Sequence, residues 1–293
     1  MSSSVRITTL KNLLKPGCGK RRRHPAIGCH KYDLEIDHER STDFCAYTAE
    51  ALRVAYVDPQ YLASVLDREG FAGVRKLLEE RFPSPDNPFS VRTGDFGEVI
   101  GHVVLEDIFG LTIPVLKLRF KINWEKAAFG VDIVAFRLDE HQPERDAVVF
   151  AEVKTSKDKD YGVVDVFKEI ESLVGEGHSV ARNKMRNAVR FVSERLFDQG
   201  QYELERRIYR FLDCYTHPDY VEAFFPLLVR DSQTWKDDAL DEVALEKLDP
   251  DRVVLCIVLI GQLENAVSRA YELAASVEAS GQAGIPSADS NSV

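Results

Sequence analysis

The sequence predicts an α/β protein, a mixed sheet flanked by helices, with a helical region ahead of it. Three observations carry this. Apolar runs at Val131–Leu138 and Ala147–Lys154 are separated by a polar turn containing Pro143, as in two paired strands. A continuous apolar run from Arg252 to Ile260 has the composition of a strand buried on both faces. The segments around them repeat apolar residues at helical spacing.

Residues 1 to about 40 read as irregular, with a basic run Lys20-Arg21-Arg22-Arg23-His24. Cys18, His24, Cys29 and His30 do not have the spacing of a common zinc site. The basic run reads as a solvated loop or strand edge, with a nucleic-acid contact as the alternative. Ser41-Thr42-Asp43 can cap a helix from Phe44 to Ala55. Asp58-Pro59 opens another, with Tyr61, Leu62, Val65 and Leu66 on one face, and Phe71 to Phe82 forms a third. Pro83, Pro85 and Pro88 close the region, and 84–90 reads as a linker. The expected organisation is therefore a mainly helical region 1–88, a domain 89–279 and a disordered polar tail 280–293.

Asp95 to Phe109 reads as an amphipathic helix stopped by Gly110, with Asp95 as its N-cap. Ile113 to Lys121 alternates apolar and polar residues, the pattern of a strand. After the paired strands come helices at Val164–Leu173, Ser179–Phe197 and Glu203–Cys214. Glu222 to Val229 is strand-like but contains Pro226, which assigns it to a sheet edge. Gln262 to Val277 forms a closing helix.

The formal net charge of -10 argues against a protein that coats nucleic acid. It leaves room for an enzyme with a local basic face, or for a subunit brought to DNA by a partner. Five scattered cysteines with no Cys-x-x-Cys pair match reduced, intracellular usage. No signal core and no apolar run of membrane length is present, so a cytoplasmic location is expected and no membrane.

The chemistry concentrates in Asp132, nineteen intervening residues, and Glu152-Val153-Lys154. Residues i and i+2 of a strand share a face, so Glu152 and Lys154 emerge together while Val153 turns inward. Asp132, on the neighbouring antiparallel strand, can face them. Carboxylates in that position can hold a divalent cation, which lowers the pKa of a bound water. Lys154 would orient or deprotonate that water. Glu98, on the preceding helix, offers a further carboxylate, while His102, one turn later, reads as structural. The plain alternative is a strand-edge ion pair of Asp132 or Glu152 with Lys154 or Arg137. Arg182, Arg186 and Arg190, at i, i+4 and i+8, form a basic stripe, either a solvated face or a track for the phosphates of DNA.

This order of elements and residues resembles the PD-(D/E)xK nuclease superfamily. More narrowly, Gly94-Asp95-Phe96-Gly97-Glu98, Gly130-Val131-Asp132 and Ala151-Glu152-Val153-Lys154, followed by the basic helix and the late apolar strand, look like the HamA family (DUF1837). That family is the nuclease subunit of the Hachiman anti-phage system. The likeness runs from about residue 90 to about residue 275. It implies a restriction-endonuclease-like core and a Mg²⁺- or Mn²⁺-dependent DNase of low sequence specificity. Glu98, Asp132 and Glu152 would then bind metal, and Lys154 would join them in catalysis. It also implies a superfamily 2 helicase partner, HamB, that restrains the nuclease. A catalytically silent DNA-binding or scaffold subunit and an RNase are the alternatives. The chain has no Gly-x-x-x-x-Gly-Lys-Ser/Thr loop with which to gate itself by nucleotide, so external control is expected. The segment Phe44–Phe82 is the expected docking surface, because its apolar faces exceed what a nuclease core needs.

Overall fold

Among the described residues six strands form one sheet, and the helices cover both of its faces. The structure, a computed structural model, describes residues 9–85, 89–124, 130–174, 181–212 and 221–276. The strands are β1 (Arg22–Arg23), β2 (His30–Glu35), β3 (Ile133–Arg137), β4 (Ala147–Ser156), β5 (Val221–Asp231) and β6 (Val254–Ile260). They lie in the order β1-β2-β6-β5-β4-β3. The inner strands β2, β6, β5 and β4 are parallel, and β1 and β3 close the edges antiparallel. The helices are α1 (Ser41–Tyr56), α2 (Pro59–Arg81), α3 (Phe89–Asp107), α4 (Val163–Val174), α5 (Ala181–Asp198), α6 (Tyr202–Tyr209) and α7 (Leu263–Ala275). A mixed α/β architecture is thus present, as the sequence predicts. Among the described residues no helix is long and apolar enough to cross a membrane.

The period of two along each strand divides the core between the two faces. On β4, Val149, Ala151 and Val153 pack with residues of α1, α2, α3 and α7. Val148 and Phe150 pack with residues of α4, α5 and α6. Helix α3 lies close on β4 because Gly97 and Gly101 face it. A Cβ on Gly101 would stand 2.7 Å from Ile133 Cδ1, and one on Gly97 would overlap Thr155 Oγ1.

Several expectations are corrected. Pro226 does not mark an edge: β5 is central, between β4 and β6. The β5–β6 ladder starts at Leu227↔Cys256, with one isolated bridge at Phe224↔Val253. Pro226 falls in the gap, where its missing N–H interrupts a ladder that is already broken. Ile113–Lys121 forms no strand but an extended run ending in a 3-10 turn, Lys117–Phe120. Its alternation arises because Lys117 and Lys121 point inward at carboxylates. The segment expected to be irregular holds β1 and β2, and β2 pairs with β6 in the middle of the chain's sheet.

The break expected near residue 88 therefore falls between segments that share one sheet and one core. Phe44, Leu52, Tyr56 and Leu78 are buried in that core, so the apolar faces of 44–82 are largely covered by α3 and α7. The second and third expected helices are one element broken at Gly70, whose φ of 67° leaves the helical region. Helix α3 starts at Phe89, so Asp95 lies inside it and is no N-cap. Residues 213–214, the tail from 280, and parts of the expected linker and of the Ser179 helix lie outside the described residues.

Candidate functional site

The candidate site sits where the C-terminal half of β4 meets the start of β3. The β3–β4 register pairs Ile133 with Ala151, and one further step places Asp132 opposite Glu152. The positioning is reinforced locally, since Asp132 Oδ2 accepts the Val153 amide N–H at 2.9 Å. Glu98 approaches from α3, brought near by the glycine contact just described. Glu98 and Glu152 are each 7% exposed, so both carboxyls are largely withdrawn from water.

The electrostatics follow from that burial. Desolvation pushes Glu98 up to about 8, with the neighbouring Asp132 adding to the rise against the pull of Lys117. Desolvation likewise pushes Glu152 up to about 9, helped by the charge of Asp132 and by a hydrogen bond shared with it. Asp132 is thus the neighbour of both glutamates.

Two residues that the sequence analysis did not single out complete the set. Lys117 Nζ stands 3.7 Å from Glu98 Oε2 and 3.6 Å from Asp132 Oδ1. It also donates to the Val131 carbonyl at 3.0 Å. Glu169, on α4, accepts from Lys154 Nζ at 2.8 Å. Burial lowers the Lys154 pKa, but the Glu169 hydrogen bond and the surrounding carboxylates outweigh it, and the net shift is upward. Lys154 is therefore a cation near neutrality, suited to orienting an anion or water and unsuited to removing its proton. The one sequence signal for Lys117 is its place among basic residues, Lys117, Arg119 and Lys121, that alternate with apolar ones. Glu169 carries no local signal.

A second layer holds these parts. Arg230, fully buried, donates to the carbonyls of Lys154 at 2.5 Å and Tyr161 at 2.6 Å, tying the end of β4 to the loop beyond it. Lys121 donates to both oxygens of Asp95, at 2.7 and 2.5 Å, and Tyr56 donates to Asp95 as well. That buried group fixes the segment carrying Lys117 to α3. His102 is buried, and desolvation pushes its pKa down to about 3, which keeps it neutral and structural.

The donor chemistry suits a hard divalent cation. Asp132 adjoins both Glu98 and Glu152, and Glu98 Oε2 is buried with no hydrogen-bond partner. Among the described residues, however, no group of three or more His, Cys, Asp or Glu side chains is gathered closely enough to hold a metal. Lys117 lies in the space between Glu98 and Asp132. The structure thus brings Glu98, Asp132, Glu152 and Lys154 to one place. Arg186 and Arg190 are exposed on α5, while the Arg182 side chain lies outside the described residues. By the helical period this stripe is roughly half a turn from the α5 residues that line a cleft with Asp132, which are Lys184, Asn187, Ala188, Phe191 and Val192.

A family model described as HamA matches residues 10–270, extending the likeness through the N-terminal helices and strands. No curated protein matches the chain.

Proposed function

Since the chain belongs to the HamA family, we propose that it is a metal-dependent DNase of an anti-phage defence complex. It hydrolyses phosphodiesters with low sequence specificity on a PD-(D/E)xK core, under the control of a superfamily 2 helicase. Family membership supports the defence role. The nuclease reading rests on one observation: Asp132 and Glu152 are opposed on neighbouring strands, with Glu98 beside Asp132 and Lys154 two residues along the Glu152 strand.

In this reading Glu98, Asp132 and Glu152 would hold Mg²⁺ or Mn²⁺. The bound ion supplies Lewis acidity and a water of lowered pKa. Glu98 and Glu152, both shifted toward the protonated form, would have to be ionised to hold the ion. The Val153 amide keeps one oxygen of Asp132 directed into the strand pair, leaving the other toward the cluster. Lys154, held by Glu169, presents a fixed positive charge to the substrate phosphate or the attacking water. Arg182, Arg186 and Arg190 contact the DNA backbone away from the reacting centre.

The rival is a catalytically silent DNA-binding or scaffold subunit. It is favoured by the position of Lys117, which balances part of the carboxylate charge without a metal. The experiment is to incubate the full chain with plasmid, linear DNA and RNA, in Mg²⁺ or EDTA. DNA cleavage that needs Mg²⁺ and is absent from Glu152→Ala is the expected result. Mg²⁺-independent binding with no cleavage of any substrate assigns the rival, and cleavage confined to RNA assigns an RNase.

A further inference from the structure

A cleft of about 520 Å³ opens beside the carboxylate site and shares Lys117 and Asp132 with it. Its walls are the residues before and along β3, the segment 115–123, and one face of α5. Pockets that enclose a ligand are roughly 300–1,000 Å³, so this one has room for a group the size of a nucleotide. Its character differs from that of a groove that only tracks phosphates. Val115, Val131 and Phe191 make it largely apolar, and cations stand at particular points: Lys117 at the carboxylate end and Lys184, exposed, on α5.

An aromatic platform stands in the wall. Phe120 and Phe191 meet edge to face, with centroids 5.4 Å apart. The Arg195 guanidinium lies 5.6 Å from the centroid of Phe120 and 5.7 Å from that of Phe191, which pins both rings. Phe120 nevertheless remains 38% exposed. An aromatic ring held by its neighbours yet partly exposed beside lysines can stack an unpaired base while the phosphate meets a cation.

We propose that this cleft receives one unpaired nucleotide of single-stranded DNA, its base on Phe120 and its phosphate toward Lys117 and the carboxylates. This deepens the nuclease reading and rests on it for the identity of the polymer. A base still paired and stacked in a duplex cannot lie on Phe120, because stacking on a side chain requires it to leave its own stack. Extracting it takes a few kcal/mol of unstacking and unpairing. The preferred substrate is therefore a single strand or a frayed end.

The test is binding of the full chain in EDTA, read by fluorescence anisotropy, so that no cleavage is required. The probes are a labelled oligothymidylate about twelve nucleotides long, an abasic oligomer of the same length, and a closed hairpin duplex. Oligothymidylate is expected to bind about tenfold tighter than either of the others. Ala188→Phe, which fills the cleft from α5, should remove that preference, and Lys184→Ala should weaken it. Neither substitution should alter binding to the hairpin. Should Ala188→Phe melt early, the abasic comparison on the unaltered chain and Lys184→Ala decide the matter. Equal affinity for the oligothymidylate and the abasic oligomer overturns the proposal, as does a preference that survives in a folded Ala188→Phe variant. The failure of the nuclease reading looks different: base-dependent binding persists, but no Mg²⁺-dependent cleavage appears.

Discussion

Lys154 Nζ lies 2.6 Å from Glu169 Oε2, so the lysine of the Glu-x-Lys strand is held by a helix that packs on the opposite face of the sheet from α3. The pair fixes both the position and the charge of Lys154. Glu169→Gln is therefore expected to reduce DNA cleavage by roughly tenfold, the effect of loosening a positioned charge. Lys154→Ala should abolish cleavage with little change in melting temperature. Plasmid nicking beside a thermal melt checks both, and full activity in Glu169→Gln would assign that residue to the surface.

The raised carboxyls make a pH prediction. The folded pKa values of Glu98 and Glu152, about 8 and about 9, exceed the ordinary 4.5. Between those limits the folded state binds more protons than the unfolded one. Metal-free stability must then fall as pH rises toward 9. His102, depressed to about 3, works in the other direction, but only below pH 6.5. From pH 6.5 to about 8 the downward slope belongs to the carboxylates, and above that the buried thiols of Cys29, Cys45 and Cys256, whose pKa burial raises, add to it. Melting in EDTA from pH 6.5 to 9 should show it, Glu98→Gln should flatten it, and Mg²⁺ should oppose it by favouring the ionised forms. A flat profile in EDTA would falsify the burial account.

Lys117 is within 4 Å of both Glu98 and Asp132, and its removal leaves Asp132 without this balancing cation and both carboxyls without that neighbour. Lys117→Met is expected to destabilise the metal-free chain by about 1–3 kcal/mol. The increase in melting temperature on adding Mg²⁺ should then exceed that of the unaltered chain, because the ion replaces a missing charge. An equal Mg²⁺ response in the two proteins would show that Lys117 and the ion do not share a place.

Gly101 sets how closely α3 approaches the β3–β4 pair. Gly101→Ala puts a methyl 2.7 Å from Ile133 Cδ1 and 3.1 Å from Val153 Cγ2. The overpacking should cost about 1–3 kcal/mol and move the helix that carries Glu98. Cleavage should drop by more than the melting loss explains, measured at a temperature where both proteins are folded. Gly94→Ala, on the same helix with open space around it, is the control.

By itself the sequence determined the local features. The period of 3.6 marked α1, α3, α5 and α7, and alternation or continuous apolar runs marked β3, β4 and β6, because burial of one face or two is written into neighbouring residues. It also determined the chemical set Glu98, Asp132, Glu152 and Lys154, since a strand period of two and a hairpin of modest length bring three of these together. Only the tertiary structure decided what depends on distant contacts. Pro226 sits in a central strand because it falls where the ladder to β6 is interrupted. Residues 30–35 form a strand because β6, more than two hundred residues away, offers its edge. Lys117 and Lys121 break the strand expected of their segment because buried carboxylates on other elements draw them inward. Glu169 reaches Lys154 across a helix–sheet contact that no local pattern encodes. Hydrophobic periodicity is a local property, whereas charge pairing and sheet order are properties of the folded whole.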